Sequence, residues 1–450
     1  MSLRSIIATA AGKSSYWFLH NIMHGGTAFP GEITTKIDPD ILKSLGKNYR
    51  VVIVTGTNGK TLTTSLIVRA LKQKYPHILT NPSGSNMKRG IVTTFLKGHH
   101  HRKGSRPLAI LEVDEAYVIQ VVKYIKPIAF VLTNIFRDQL DRYSEIYYTY
   151  DLILKAIKLA PKATIIANGD DSLFQSVNLP NPVVYYGFAN HDEHLDFKAK
   201  PNTDDVICPR CHHILHYHYI TYANLGDYFC PNCGYARPKL TTAVTKIDKL
   251  TPDTSEFEID HHKLTIEAGG TYNIYNALTA YAVAKFFGVD DDKIIKAFRT
   301  NAQIFGRQEK IDINNRQIIL IMIKNKVSVN VIFDMLAHEK NPFSFAFLLS
   351  SKNADGLDTS YMWDCNFEKV VKMHPKQFIS GGDHYKDIAY RMKVAGAPDD
   401  KHIVAKNYKE LIHDLANVPT KKVYVVACYT PMRTLRGILA EKGYVKKGLD

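Results

Sequence analysis

Two groups of residues have the types and spacing to do chemistry. The first is Gly56-Thr57-Asn58-Gly59-Lys60-Thr61. Gly56 and Gly59 let backbone N–H groups approach phosphate oxygens, and a helix starting at this point would present its positive end to the same anion. Lys60 places a charge where the β and γ phosphates of a nucleotide would lie, and Thr61 offers a hydroxyl to Mg²⁺. Only Thr57 and Asn58 separate the glycines, so the loop is shorter than the common Walker A loop. The second group is Cys208-Pro-Arg-Cys211 and Cys230-Pro-Asn-Cys233, two Cys-x-x-Cys knuckles separated by eighteen residues. Four thiolates so arranged can surround one tetrahedral Zn²⁺ and leave no open position, which predicts a structural site. Redox pairs or another metal are the alternatives.

Both groups need elements to position them. Val51 to Val54 read as a short buried strand, and Leu62, Leu66, Ile67, Ala70 and Leu71 recur at helical spacing straight after the loop. Leu108 to Val113 is a second strand that ends in Glu112, Asp114 and Glu115. A carboxylate at the C-terminal end of a strand beside a phosphate loop is well placed to hold Mg²⁺. Glu112 fits that position; Asp114 and Glu115 fit better as acids that complement a helix start. Ile128 to Thr133 is a further strand, followed by Asn134 and Asp138. Ala163 to Asn168 adds another, ending at Gly169-Asp170-Asp171. The aromatic run Tyr217 to Tyr222 between the cysteine pairs suits short strands. Gly269 to Leu278 opens a helix that Gly288 stops. Beyond Glu309, strand and helix patterns alternate through Ile318–Ile323, Val329–His338, Phe343–Leu349, Gln377–Ser380 and Tyr385–Val394 to Leu435–Glu441. That alternation predicts a second open α/β domain.

The chain of 450 residues is too long for one ordinary core. With 45% hydrophobic and 22% charged residues it has the composition of a globular protein, and no apolar run is long enough to span a bilayer. The apolar stretch Ser5 to Ala11 is short and reads as a first helix more readily than as a secretory signal, which predicts a cytoplasmic protein. A net charge of +15 favours acidic partners, namely nucleic acid, an anionic lipid surface or a phosphorylated substrate. Composition cannot choose among these, and a solvated basic surface is the simpler reading. Cys365 and Cys428 stand apart from the cluster and read as buried core residues. The run Lys97 to Arg106, with His99, His100 and His101, reads as an exposed loop, since adjacent histidines cannot all face one ion.

Gly-Thr-Asn-Gly-Lys-Thr resembles the ATP loop of the Mur ligases and folylpolyglutamate synthases, which activate a carboxylate as an acyl phosphate and then form an amide. From about Leu42 onward the chain is similar to one branch of that superfamily, the MurT-type ligase subunits that work with a GatD-type glutamine amidotransferase as a heterodimer. Residues 1–49 are too short for the N-terminal substrate domain of ordinary Mur ligases, and this branch lacks that domain. The resemblance implies a central ATP-binding domain over residues 50–305 with a zinc ribbon inserted near 203–240. A Rossmann-like α/β C-terminal domain would follow over 306–450.

It further implies Glu112 as the magnesium-holding glutamate of its strand. Asn134-Ile135-Phe136-Arg137-Asp138-Gln139 resembles the Mur Thr-Asn-x-x-x-Asp-His segment, with Gln139 in the histidine position, which implies Asn134 and Asp138 as contacts to a nucleotide or metal-bound water. Asn273 corresponds to an asparagine that contacts adenine, with Tyr272 replacing a histidine, and Arg307 to an arginine that reaches the phosphates. Helix capping by Asn273 and an Arg307–Glu309 pair are the structural alternatives. Lys324-Asn325-Lys326 resembles the Lys-Asn-Pro of the branch. Asp355-Gly-Leu-Asp358-Thr-Ser-Tyr-Met-Trp-Asp364 is its most specific segment. The implied role of Asp355, or alternatively Asp358, is to orient the histidine of the partner's Cys-His pair; otherwise Asp-Gly is simply a turn. The whole implies an ATP-, Mg²⁺- and Zn²⁺-dependent ligase subunit that amidates the D-glutamate α-carboxylate of lipid II, in peptidoglycan biosynthesis, at the inner face of the membrane. An amino-acid-adding ligase of the same superfamily is the nearest rival. A nucleic-acid-binding P-loop ATPase is the more distant one.

Overall fold

The structure is a computed structural model. It describes residues 2–23, 28–81, 85–98, 106–138, 146–189, 194–200, 203–204, 206–299 and 308–446. The expectations for His99 to His101, Gln139 and Arg307 lie outside the described residues.

Helices α1 (Leu3–Phe18), α2 (Phe29–Ile37) and α3 (Ile41–Gly46) precede the first sheet, which begins with β1 (Arg50–Thr55) and α4 (Lys60–Leu71). Then follow β2 (Ile78–Thr80), α5 (Lys88–Gly98), β3 (Leu108–Glu112), β4 (Ala129–Leu132), β5 (Thr164–Asn168) and β6 (Val183–Phe188). An insert of β7 (Phe197–Lys198), β8 (His216–Tyr222) and β9 (Leu225–Phe229) comes before β10 (Thr242–Leu250), β11 (Ser255–Ile259) and β12 (His262–Ile266). Among the described residues the first sheet has nine strands in the order β12-β11-β10-β6-β5-β4-β1-β3-β2. It is parallel from β2 to β10, and β11 and β12 fold back antiparallel.

The apolar character of Val51 to Val54 follows from burial on both faces of β1. Val52 and Val54 pack with Ile67, Leu71 and Leu278 on one side of the sheet. Val51 and Ile53 pack with Phe95 and Ile125 on the other. The helix Thr271–Phe286 is buried along twelve of its sixteen residues, which fixes Asn273 and Asn276 of its first two turns against whatever they face. Helix α1 lies on α2 and α5 through Ser5, Ala8, Thr9 and Gly12. The Ser5 hydroxyl donates to Asp38 at 2.6 Å, and a Cβ on Gly12 would stand 2.1 Å from Thr34 Oγ1, so small side chains permit the close approach.

The second sheet is built from β13 (Glu309–Ile313), β14 (Arg316–Met322), β15 (Phe343–Leu349), β16 (Phe378–Gly382), β17 (His402–Val404) and β18 (Lys422–Ala427). Its order is β13-β14-β18-β15-β16-β17, parallel except for the β13–β14 hairpin. The expected alternation is therefore present. Lys422 ties the two sheets together, reaching Asp253 of the β10–β11 turn and Glu339, each at 2.9 Å.

The insert is fastened to the first sheet through Asp170, which is fully buried at the end of β5. Asp170 accepts from Tyr275 Oη at 2.6 Å, Phe188 N at 2.8 Å and Arg237 at 2.9 Å, and Arg237 also holds Asp227 of β9. Burial raises the Asp170 carboxyl above the usual carboxylate range, and Arg237 opposes that rise.

Candidate functional site

The loop between β1 and α4 has the conformation its glycines permit. Gly56 (φ 127°) and Gly59 (φ 85°) occupy backbone regions unfavourable to side chains. A Cβ on Gly56 would lie 2.3 Å from Thr133 Oγ1, and one on Gly59 would lie 2.2 Å from Asn276 Oδ1. Gly59 caps α4, so the first turn of that helix, with Lys60 and the half-buried Thr61, opens directly from the loop.

Asn134, at the end of β4, clasps the peptide of Asn58: its Oδ1 accepts from Asn58 N at 2.9 Å and its Nδ2 donates to Asn58 O at 3.2 Å. The Thr57 N–H donates to Asn134 O at 2.8 Å. The loop is thus pre-shaped by its neighbour strand. Asn276, in the second turn of Thr271–Phe286, accepts from Thr63 Oγ1 at 3.1 Å and lies against Gly59. Asn273 donates to Gly269 O at 2.7 Å and accepts from Asn276 at 3.3 Å, so it shapes the turn that delivers Asn276.

Lys60 is 6% exposed and folds over the loop. Its ammonium donates to the carbonyls of Gly56 and Thr57 and pairs with Glu115 at 3.0 Å. Glu115 therefore does not complement a helix start, as the sequence suggested; it sits in a turn and neutralises the lysine. Burial raises its carboxyl above the usual range, opposed by Lys60 and reinforced by Asp114. Glu112, paired in register with Val54, is 3% exposed. Its peptide bonds reciprocally with the Asn81 side chain, and its Oε1 accepts from Asn86 at 3.2 Å. Asn81 and Asn86 thus support this carboxylate.

The second sheet approaches the loop through Lys324 and Asn325. Asn325 caps the helix Lys326–Leu336 in a capping box with Ser328, and its side-chain amide meets that of Asn58 at 3.4–3.5 Å. It also donates to Asp138 at 3.3 Å, and Lys324 forms an ion pair with Asp138. Burial opposes the Lys324 charge, yet Asp138 and Glu115 outweigh it and hold the ammonium above its ordinary range. A phosphate loop, a lysine, two carboxylates and a second domain therefore converge, an arrangement suited to binding a nucleotide triphosphate and moving its terminal phosphoryl group. At the junction, Gln308 bonds to Gly269 and Tyr272, and Glu309 pairs with Arg436 at 2.9 Å.

The four cysteine sulfurs lie within 4.8 Å of one another, with Cys208–Cys233 at 3.7 Å and Cys211–Cys230 at 3.5 Å. Sulfurs bound at about 2.3 Å to a tetrahedral ion would be about 3.8 Å apart, so the spacing fits. The two knuckles match. Cys208 O accepts from His212 N and Cys230 O from Gly234 N, and both His212 and Gly234 have positive φ. Hydrogen bonds from Asn232 and the His213 backbone lower the Cys211 thiol to about 6. At Cys233 the Tyr235 N–H favours the thiolate, but burial and the neighbouring thiols prevail and push it up to about 12. The four sulfurs are placed so that one cation could bind them all.

Asp355 is buried and its Oδ1 accepts from Thr430 N at 2.7 Å, in the first turn of the helix Tyr429–Glu441. Asp358 is more exposed and accepts from Ser360 N at 2.8 Å. Cys365 and Cys428 are buried, and burial pushes the Cys428 thiol up to about 11, far from nucleophilic poise.

Comparison with known proteins agrees with this geometry. The Mur ligase middle domain family matches residues 54–284, and the MurT ligase C-terminal family matches residues 322–432. The subunit MurT of the glutamine-hydrolysing lipid II isoglutaminyl synthase of Streptococcus pneumoniae is 43% identical over 450 residues, covering 100% of both chains. Among solved structures, a pseudomurein peptide ligase type C from Methanothermus fervidus superposes with a TM-score of 0.64 at 23% identity, over 90% of this chain and 81% of that one. The MurF ligase of Thermotoga maritima, in complex with ADP, has a TM-score of 0.60 at 13% identity, over 92% and 84% of the two chains. No described helix is long and apolar enough to cross a membrane.

Proposed function

Because this chain belongs to the Mur ligase family, among the MurT subunits of glutamine-hydrolysing lipid II isoglutaminyl synthase, we propose that it carries the ATP-dependent half of that reaction where its two α/β domains meet. The α-carboxylate of D-glutamate in the lipid II stem peptide attacks the γ-phosphorus of ATP, giving an acyl phosphate and ADP. Ammonia then attacks the acyl carbon and phosphate leaves, so the product is the amide, D-isoglutamine. The observation that carries this reading is the contact of Asn325 and Lys324 with Asn58 and Asp138, which places the C-terminal domain over the phosphate loop.

In this reading Gly56 to Thr61 cradle the phosphates, and Lys60 moves from the loop carbonyls onto the transferred phosphoryl oxygens. Asn134 keeps the loop in shape, and Asn273 holds the turn on the adenine side. Arg307 is assigned to the phosphates from the family resemblance. Thr61 and Glu112 are the residues to hold Mg²⁺, which when bound neutralises developing charge. Since phosphoryl transfer asks chiefly for position and electrostatics, this set suffices for the first step. Cys208, Cys211, Cys230 and Cys233 hold a structural Zn²⁺. With both remaining cysteines buried, ammonia comes from a glutaminase partner, to whose active site Asp355 contributes; the rigid anchor on Thr430 supports that assignment over Asp358. The lipid-linked substrate places the reaction at the inner face of the cytoplasmic membrane.

The test is amidation of lipid II by the purified chain with ATP and Mg²⁺, supplying ammonium or glutamine, with and without the glutaminase subunit. Ammonium is expected to serve the chain alone and glutamine only the pair. Absence of amide from either source in every combination would overturn the reading. The domain contact gives a second expectation. Lys324→Met keeps the side-chain stem but removes a partly exposed charge worth about 1 kcal/mol, so the KM for ATP should rise roughly fivefold. The melting temperature should move by less than about 3 °C. Unchanged ATP dependence would mean that the pair with Asp138 does not hold the domains over the loop.

A further inference from the structure

Helix α1 turns its small residues inward and its large apolar residues outward. Ser5, Ala8, Thr9 and Gly12 face the body of the protein, while Leu3 is 75% exposed, Ile6 and Ile7 53%, Trp17 63% and Phe18 48%. At about 100° per residue these five, with Ala10 and Ser14 between them, fall within an arc of about 120°. Arg4 borders the arc on one side and Lys13 on the other. The chain has no acidic residue before Glu32, and its net charge is +15. A surface helix that merely closed a core would bury the isoleucines and expose the serines. Here the inward face already fits tightly, with Gly12 against Thr34 and Leu96, so the outward face is not a misplaced core.

We propose that α1 is an interfacial anchor: it lies in the plane of an anionic bilayer surface with Leu3, Ile6, Ile7, Trp17 and Phe18 in the acyl boundary. Arg4 and Lys13 would sit at the headgroup phosphates. An apolar arc with cationic borders and no acids is the pattern such helices use, and a tryptophan at one end suits the wet boundary. The choice of a membrane over a protein occupant rests on that charge pattern and on the reading above, in which the acceptor is fixed in a bilayer. Anchoring would confine the enzyme to the surface where its substrate diffuses.

The test is flotation of the full-length chain with vesicles of phosphatidylglycerol and phosphatidylcholine that contain no lipid II, against vesicles of phosphatidylcholine alone. The expected result is retention on the anionic vesicles that falls at least about tenfold in the Ile6→Ser, Ile7→Ser, Trp17→Ser variant and falls with added salt. In a Trp363→Phe background, emission from Trp17 should shift to the blue on vesicle addition. The triple variant, altered only on the exposed face, should keep its melting temperature and its amidation of a short-chain, water-soluble lipid II analogue. Equal retention on neutral vesicles, or equal retention of the triple variant, would overturn the proposal. So would loss of the glutaminase complex or of a homodimer in that variant, since the face would then be covered by protein. If the wild-type chain floats but amidates neither substrate, it is the proposed function that fails.

Discussion

Lys60→Ala is expected to lower amidation at least about a thousandfold with either ammonium or glutamine as the nitrogen source. The same substitution should weaken the fold in a pH-dependent way, because Lys60 and Glu115 are both nearly fully buried, at 6% and 3% exposed. Glu115 has its folded pKa above that of a free carboxyl, held there by burial and moderated by Lys60. Between the unfolded and folded pKa values the native state binds more protons, so stability declines as pH rises through that window and is level above it. Without Lys60 the window extends upward. The variant should therefore be closest to wild type near pH 4–5 and furthest from it near pH 8, where the deficit should reach about 3 kcal/mol. Adding Glu115→Gln should recover most of the stability and none of the activity. Denaturant titrations at several pH values, paired with amidation assays, separate the two effects. Recovery of activity in the double variant would mean that Lys60 acts only by packing.

Cys208→Ser is expected to reduce bound zinc from about one ion per chain to nearly none, and to lower the melting temperature by roughly 5–10 °C. The loss should spread beyond the insert. Arg237, Asp227 and Asp170 link the ribbon to β5, β6 and the helix Thr271–Phe286, whose Asn276 contacts the helix after the phosphate loop. Chelation of wild-type protein should reproduce the destabilisation, and added Zn²⁺ should reverse it. Unchanged metal content in the variant, measured by elemental analysis, would overturn the zinc assignment.

Much of this arrangement is legible in the sequence because it is local. Val51 to Thr64 holds the strand, the two glycines and the helix start within one short stretch. The knuckles are likewise fixed by spacing, and the second sheet by its repeated alternation. The partners of those residues are not local. Lys60 meets Glu115 55 positions later, Thr63 meets Asn276 after 213, and Asn58 meets Asn325 after 267. No periodicity marks such pairs. Of the three acids Glu112, Asp114 and Glu115, separated only by Val113, the sequence assigned Glu115 to a helix start, and the turn that aims it at Lys60 could not be read from it. Glu309 was equally opaque, since its cation lies 127 residues away in Arg436. The full-length likeness to an amidating subunit, at 43% identity, decides against the amino-acid-adding and nucleic-acid readings, a choice the loop motif leaves open. The first helix was legible as a helix, but its reversal was hidden because small residues give little hydrophobic signal.

The ribbon's place in the chain also governs the order of assembly. β6 and β10 are parallel neighbours, so the chain must leave the far end of one and return to the near end of the other. In most sheets a helix makes that crossover. Here the four-cysteine module makes it, and β10, β11 and β12 can join only after the module has brought the chain back. With the proposed Zn²⁺ holding the four cysteines, metal capture would be a maturation step for a newly synthesised chain. Until then the edge of β6 would stay open to mispairing, and zinc supply during growth would set how much of the synthase reaches its finished form.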